Sequence, residues 1–236
     1  MLSTKLGHSL KWLALVVLMT GVILRVPVLY GAQSPVTIAP PAQDNSRDPG
    51  PMQVAVLSGG CFWGVQGVFE HVQGVRQVLS GYAGGEKSTA HYEVVSSGST
   101  GHAESVQITF DPAKVSYGQL LQIFFSVAHD PTQLNRQFPD TGTQYRSSIF
   151  YADNSQKRIA EAYIDQLNRS RAFSSPIVTR VDPLKGFYAA EGYHQDYLVH
   201  NPANPYIAIN DLPKVENLQR TFPALYTERP TLVTGR

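Results

Sequence analysis

The pattern of apolar and polar positions begins in earnest at Gln53, where the run to Leu57 has the length of a buried strand. Ser58-Gly59-Gly60 interrupts it. Phe62, Val65, Val68, Phe69 and Val72 then recur at spacings of three and four, which predicts an amphipathic helix starting at or just after Cys61. Val75 to Tyr82 predicts a second strand, ended by Ala83-Gly84-Gly85. Val106, Ile108 and Phe110 alternate with Gln107 and Thr109, as in a half-buried strand that Asp111-Pro112 stops. Ser116 suits the N-cap of a helix from Tyr117 to Ala128. His129 to Arg146 is long, polar and aperiodic, a loop of the kind that is either functional or disordered. A strand over Ser147 to Tyr151, a helix over Ser155 to Asn168 and a strand over Pro176 to Val181 follow. Pro183 to Asn201 is aromatic-rich and mixed, and the proline-bearing tail from Pro202 is expected to lie along the surface. Strands and helices alternate irregularly, without an internal repeat. The fold class expected is α+β: a single two-layer α/β sandwich, a mixed sheet with helices packed on it and a ferredoxin-like core.

The flanks have a different composition. Lys5 and Lys11 precede the apolar run Trp12 to Leu24, and no acid occurs before Asp44, the build of an export signal. Residues 1–32 therefore read as an export signal or a membrane anchor. Gly31 and Ala32 suit cleavage, whereas Tyr30 does not, so both outcomes stay open. Such a segment implies a protein that is exported, periplasmic or anchored facing outside the cytoplasm. Residues 33–51, with Pro35, Pro40, Pro41, Pro49 and Pro51, have the composition of an extended linker without a core. That leaves 52–201 as the folded domain and 202–236 as a C-terminal extension. The formal net charge of +1 gives no general electrostatic reason to expect nucleic acid.

The chain has one cysteine. It excludes an intramolecular disulfide and a thiolate-rich metal site, and leaves an inert core thiol, an intermolecular partner or a nucleophile. Cys61 stands where a helix N-terminus would lower its pKa, between glycines that allow a sharp turn and close approach. A nucleophilic thiol also needs a proton-handling group and a pocket. Glu104 opens the apolar strand, where desolvation would raise its pKa and keep a proton available. Tyr92 and Tyr145 lie in polar or glycine-rich loops from which a phenol can point at a ligand oxygen, and Phe62 and Trp63 offer an apolar wall beside the sulfur. His102, His129 and His194 read as loop or packing histidines, since no cluster stands at metal-ligand spacing.

Four blocks carry a resemblance: Gly60-Cys61-Phe62-Trp63-Gly64, Thr100-Gly101-His102-Ala103-Glu104, His129-Asp130-Pro131-Thr132-Gln133 and Gly142-Thr143-Gln144-Tyr145-Arg146-Ser147. In this order they resemble the signature blocks of the A-type peptide methionine sulfoxide reductases, over about Val54 to Asn201. The resemblance implies that Cys61 attacks the sulfoxide sulfur and becomes a sulfenic acid. It implies that Glu104 protonates the oxygen, that Tyr92 and Tyr145 hydrogen-bond it, and that Phe62 and Trp63 hold the S-methyl group. Asp140 and Tyr193 match further family positions at the pocket rim. The substrate implied is the S epimer of methionine sulfoxide, free or in oxidised proteins, with no bound cofactor. The chain lacks the resolving cysteines of many relatives, and Ser96 stands where some carry one. An external thiol reductant (thioredoxin, glutaredoxin or glutathione) would then recycle Cys61. A monomer is expected. Two other classes compete: a peroxide-reducing thiol enzyme, against which the absence of the usual peroxidase setting counts, and an inactive binding module, against which intact Cys61 and Glu104 count.

Overall fold

The computed structural model describes residues 34–233. The segment 1–32 lies outside the described residues. In chain order the elements are β1 (Gln53–Gly59), α1 (Phe62–Glu70), β2 (Val75–Ala83), α2 (Tyr92–Val95), β3 (Ala103–Phe110), α3 (Tyr117–Ile123), β4 (Arg136–Gln137), β5 (Asp140–Thr141), β6 (Ser147–Tyr151), α4 (Asn154–Arg169), β7 (Arg180–Pro183), β8 (Phe187–Ala189), α5 (Tyr197–His200) and α6 (Leu212–Thr221). Six strands form a mixed sheet in the order β7-β6-β1-β3-β2-β8. Only the β6–β7 pair is parallel. The mixed sheet with helices, the α+β class, is as expected.

Strand alternation decides which face each side chain serves. Ala55 and Leu57 of β1 join the main core cluster with Phe62, Val65, Val68 and Phe69 of α1, whereas Val56 belongs to a smaller cluster with Ala83, Ala103 and Phe150. In β3, Val106, Ile108 and Phe110 enter the main cluster and Ala103 the smaller one. Glu104 shares the parity of Val106 and therefore starts on the face that α1 covers. Phe62, Val65, Val68 and Phe69 of α1 are fully buried, a contribution of about 1.5–3 kcal/mol apiece. Helix α3 is capped by Ser116 through a reciprocal pair: Gln119 N–H donates to Ser116 Oγ (3.2 Å) and Ser116 N–H to Gln119 Oε1 (3.1 Å). A π-helical turn, Phe124–Ala128, completes the predicted helix.

Three expectations change, and one open alternative is decided. Residues 34–51 are extended but docked. Their prolines withhold donors, and their carbonyls are used instead: Gln122 donates to Ile38 O (2.9 Å), Tyr163 to Ala39 O (2.7 Å) and Gln166 to Pro40 O (2.9 Å). Asp44 closes the strap on the start of α3 by accepting from Gly118 N–H (2.8 Å) and Ser116 Oγ–H. Residues 202–233 are not confined to the surface. A π-helical turn, Ile207–Asp211, runs into α6, with Ile207, Asp211 and Leu218 buried and α6 packed on α1. Pro213 sits in the first turn of α6, where its missing N–H costs nothing. The packed core thus extends past residue 201. The strand expected over Pro176 to Val181 begins instead at Arg180, because Ile177 N–H is taken by Asn168 Oδ1 (3.0 Å) and Val178 N–H by Pro131 O (2.8 Å). The loop 129–146 is ordered: β4 pairs with β5, and Asp130 accepts from Thr132 and Gln133.

Candidate active site

Cys61 sits in the turn between β1 and α1. Gly60 takes φ +91°, and a Cβ there would lie 2.6 Å from Gln137 Cβ, so only glycine permits this turn against the loop. Gln137 is itself fixed across the Asp130 peptide, accepting from its N–H and donating to its carbonyl, both at 3.0 Å. The thiol is 8% exposed and opens into a cavity of about 200 Å³ lined by Cys61, Phe62, Trp63, Tyr92, Glu104, Asp140, Tyr145 and Tyr206. Larger surface hollows, such as one of about 700 Å³ beside Arg47, Lys114 and Phe222, contain none of these groups.

Glu104 reaches the first turn of α1, where its Oε2 accepts from Phe62 N–H at 3.0 Å. Burial pushes its pKa up to about 8, opposed by the Phe62 bond and reinforced by Asp140 and Asp211. Its proton is therefore held at neutral pH. The expectation of a depressed Cys61 pKa is overturned: burial pushes the thiol up, and Glu104 and Asp211 add to this against a hydrogen bond from Trp63 N–H. The physical reason is that burial of the sulfur, reinforced by the nearby carboxyls, outweighs the one helix N–H that Trp63 supplies. Charges on Cys61 and Glu104 penalise each other, so the site disfavours both ionised at once.

Tyr92 and Tyr145 enter the cavity from α2 and from the turn Thr143–Tyr145. Burial, followed by Glu104, raises both phenols, which stay hydrogen-bond donors. Tyr92 N–H is anchored on Glu191 Oε1 (3.0 Å), whose other oxygen accepts from Tyr82 OH (2.9 Å). Trp63 stacks on Tyr197 at 3.9 Å and meets Tyr206 edge-on at 6.0 Å. Phe62 is buried 5.9 Å from the Tyr82 ring. Asp140 accepts from Tyr206 OH; burial raises its pKa, while Tyr206 and Lys214 lower it.

Seven of the eight predicted residues thus converge. Tyr193 does not. It is 63% exposed and absent from the cavity lining, its ring instead lying 4.2 Å from that of His194. The 3₁₀ turn Gly192–His194 buries His194 and leaves its neighbour outside. Sequence reasoning missed Tyr206 and the Asp211–Lys214 pair (3.0 Å) that packs on Gly64, where a Cβ would fall 2.1 Å from Asp211 Oδ1. The signal was present: Leu212, Val215 and Leu218 recur at helical spacing behind Tyr206. Among the described residues no group of three or more His, Cys, Asp or Glu converges as metal ligands.

Residues 53–225 match the model of the family described as peptide methionine sulfoxide reductase. The chain is 60% identical over 190 residues to the peptide methionine sulfoxide reductase MsrA 2 of Mesorhizobium japonicum, a match covering 80% of this chain and 97% of the relative. Among solved structures it is similar to reduced Mxr1 from Saccharomyces cerevisiae, with TM-score 0.58, 33% identity and coverage of 66% of this chain and 90% of that one. Methionine sulfoxide reductase A of Corynebacterium diphtheriae gives TM-score 0.57 and 33% identity over 74% of this chain and 88% of that one. The family match runs past Asn201 and so includes Tyr206 and Asp211.

Proposed function

The chain belongs to the peptide methionine sulfoxide reductase family and is an oxidoreductase acting on sulfur, and from that premise we propose that Cys61 reduces the S epimer of methionine sulfoxide, free or in oxidised proteins, through a sulfenic acid that an outside thiol then removes. The observation that carries this reading is the pairing, in one cavity, of a buried thiol with a carboxyl that keeps its proton at neutral pH.

The steps follow from the proton positions. The sulfoxide oxygen approaches Glu104, Tyr92 and Tyr145, and the phenols donate to it as negative charge develops there. Glu104 hands its proton to that oxygen. The carboxylate it leaves accepts the proton of Cys61 as the sulfur attacks. The net change moves one oxygen from the substrate to Cys61 and releases methionine, so the thiol becomes S–OH and the sulfoxide a thioether, with no proton gained or lost. Phe62 and Trp63 bound the S-methyl group, and one oxygen site beside one apolar wall accepts one epimer. Asp140, held by Tyr206, braces the far side. A reductant thiol condenses with the S–OH, releasing water and leaving a mixed disulfide, and a second thiol restores Cys61. Thioredoxin, glutaredoxin and glutathione are the candidate classes.

The same reading takes β6-β1-β3-β2 with α1 and α3 as a ferredoxin-like core in a two-layer sandwich, supported by the strand order and the β-α-β-β-α-β succession. It takes the protein as a monomer, exported by residues 1–32 or anchored by them, supported by their basic and apolar composition.

The test is a single turnover. The purified protein is mixed with a racemic methionine sulfoxide peptide without reductant. The expected yield is about one methionine per protein from one epimer, with Cys61 captured by a sulfenic-acid reagent. No product, or product from both epimers, refutes the proposal.

A further inference from the structure

The proposed route leaves Cys61 as S–OH, and the thiol that clears it must enter the same cavity of about 200 Å³. Among the described residues that line this cavity, none is Lys, Arg or His. Two carry carboxyls, Glu104 and Asp140. Glu104 keeps its proton at neutral pH and is uncharged there. Asp140 differs. It is half-buried and accepts from the Tyr206 hydroxyl. Burial raises its pKa, while that bond and Lys214 hold it toward the carboxylate. The Lys214 ammonium is itself matched by Asp211 at 3.0 Å, so the two together bring no net charge. An entering molecule therefore meets a negative wall, and Asp140 is its source.

The backbone fixes that wall. Asp140 stands opposite Gln137 in the β4–β5 pair, and Gln137 is tied at both ends of its amide to the Asp130 peptide. Arg136, the nearest basic residue in sequence, stands opposite Thr141, and strand alternation directs it to the other face. The carboxylate thus keeps its place and its charge beside the path to Cys61.

We propose that Asp140 is a specificity-determining residue of the regeneration step, which sorts thiol reductants by charge: it opposes thiols that carry a carboxylate near the sulfur and admits neutral or cationic ones. This rests on the reading of Cys61 as the carrier of a sulfenic acid. In that step the reductant sulfur bonds to Cys61 Sγ and the Cys61 S–O bond breaks. The oxygen leaves as water, with its own proton and the thiol's. The reductant sulfur is oxidised and Cys61 is reduced. Asp140 takes no part in this exchange and acts on the approach alone. For two unit charges roughly 7 Å apart at an effective dielectric of about 40, repulsion slows the encounter about five- to tenfold. Glutathione, with two carboxylates against one ammonium, falls on the opposed side. A protein cysteine without acidic neighbours falls on the admitted side.

The test starts from the full chain after one turnover of methionine sulfoxide, freed of excess substrate. At neutral pH it is mixed with 2-mercaptoethanol, 3-mercaptopropionate or cysteamine, which are neutral, anionic and cationic thiols of similar size. Mass spectrometry follows the loss of S–OH and the growth of mixed disulfide. The series is repeated on Asp140→Asn, which can still accept from Tyr206, and on Tyr206→Phe, which keeps the carboxylate and loses the bond. Ratios between thiols cancel any general loss of rate in a variant, and comparison between proteins cancels the thiols' own reactivities. Asp140→Asn should raise the anionic-to-neutral ratio about five- to tenfold and lower the cationic-to-neutral ratio, while Tyr206→Phe should leave both within about twofold of native. In the native chain, going from low salt to about 0.5 M should raise the anionic-to-neutral ratio about threefold by screening. Unchanged ratios in Asp140→Asn overturn the proposal, as does an equal change in Tyr206→Phe, which would assign the effect to wall geometry. If Asp140→Asn does not fold, the salt series on the native chain decides, and a flat ratio overturns the proposal. If the native chain does not reduce methionine sulfoxide, the proposed function fails on its own. Hydrogen peroxide then supplies the S–OH on Cys61, and the same thiol series decides the role of Asp140.

Discussion

Replacing Glu104 by Gln separates two effects of one carboxyl. The amide oxygen can still accept from Phe62 N–H, so the local geometry is kept while the transferable proton and the charge are removed. With its pKa pushed up to about 8, the native carboxyl is about nine-tenths protonated at pH 7 and ready as an acid. General acids contribute about 10²–10⁴ in rate, and Tyr92 and Tyr145 remain as neutral donors, so the loss should fall near the lower end, about 10²–10³ or roughly 3–4 kcal/mol. The native single-turnover rate should fall as pH rises through about 8, since ionised Glu104 has no proton to give and also opposes a Cys61 thiolate. The variant should lack that limb. Alkylation of Cys61, the sole cysteine, moves the other way. Below pH 7 the two proteins should alkylate alike, and at pH 9 the variant should react several-fold faster, because only the native chain then carries ionised Glu104 beside the sulfur. Methionine release by chromatography and alkylation by mass spectrometry read the two arms. A variant within threefold of the native turnover rate, or equal alkylation at pH 9, would refute the assigned role.

Four further outcomes follow. Glu70 is buried with its pKa pushed up to about 9 by burial and then by Asp196, so the native state holds a proton that the unfolded chain releases above its ordinary value of 4.5. Its contribution to stability is therefore full at low pH and is lost between about pH 5 and 9, at a limiting ~1.4 kcal/mol per pH unit, and urea unfolding of Glu70→Gln should show a shallower decline over that window. Gly60→Ala must place a methyl group 2.6 Å from Gln137 at φ +91°, and should cost about 2–4 kcal/mol, read as a drop of several degrees in Tm. Tyr206→Phe removes the hydroxyl that donates to Asp140 and should lower single-turnover efficiency about tenfold with Cys61 alkylation unchanged. Deleting 202–236 strips Ile207 and Leu218 from the core, a loss of about 3–6 kcal/mol from these two side chains alone, and circular dichroism should show a chain that does not reach the native fold.

What was legible in the sequence was what a local pattern determines. The alternation of Val106, Ile108 and Phe110 located β3, the stripe from Phe62 located α1, and Ser116 marked the start of α3. The turn around Cys61 was legible because glycine there has a backbone reason. What failed depended on partners distant in sequence. Whether Ile38 to Pro40 dangles or docks depends on Gln122, Tyr163 and Gln166 presenting donors to carbonyls. The pKa of Cys61 could not be read from its place at a helix start, because burial by distant elements, and then the carboxyl of Glu104, 43 positions later, push it up. Tyr193 and Tyr206 look alike as loop tyrosines, and only tertiary packing turns one outward and the other into the cavity.

The shared parity of Glu104 and Val106 makes strand length in β3 a catalytic parameter. Side chains on a strand change face at every residue, so a single residue inserted or lost between Glu104 and Val106 would leave β3 able to pair with β1 and β2 through its remaining positions. The carboxyl, however, would swing toward the face of Val56 and Phe150, with the sheet between it and the sulfur. The loop between β2 and β3 is under no such constraint, because strand pairing resets the count at Ala83 and Ala103. Tolerance to length change should therefore be higher across residues 86–89, ahead of Tyr92, and vanish within a few positions of the acid, a boundary that stability measurements would not reveal and turnover would.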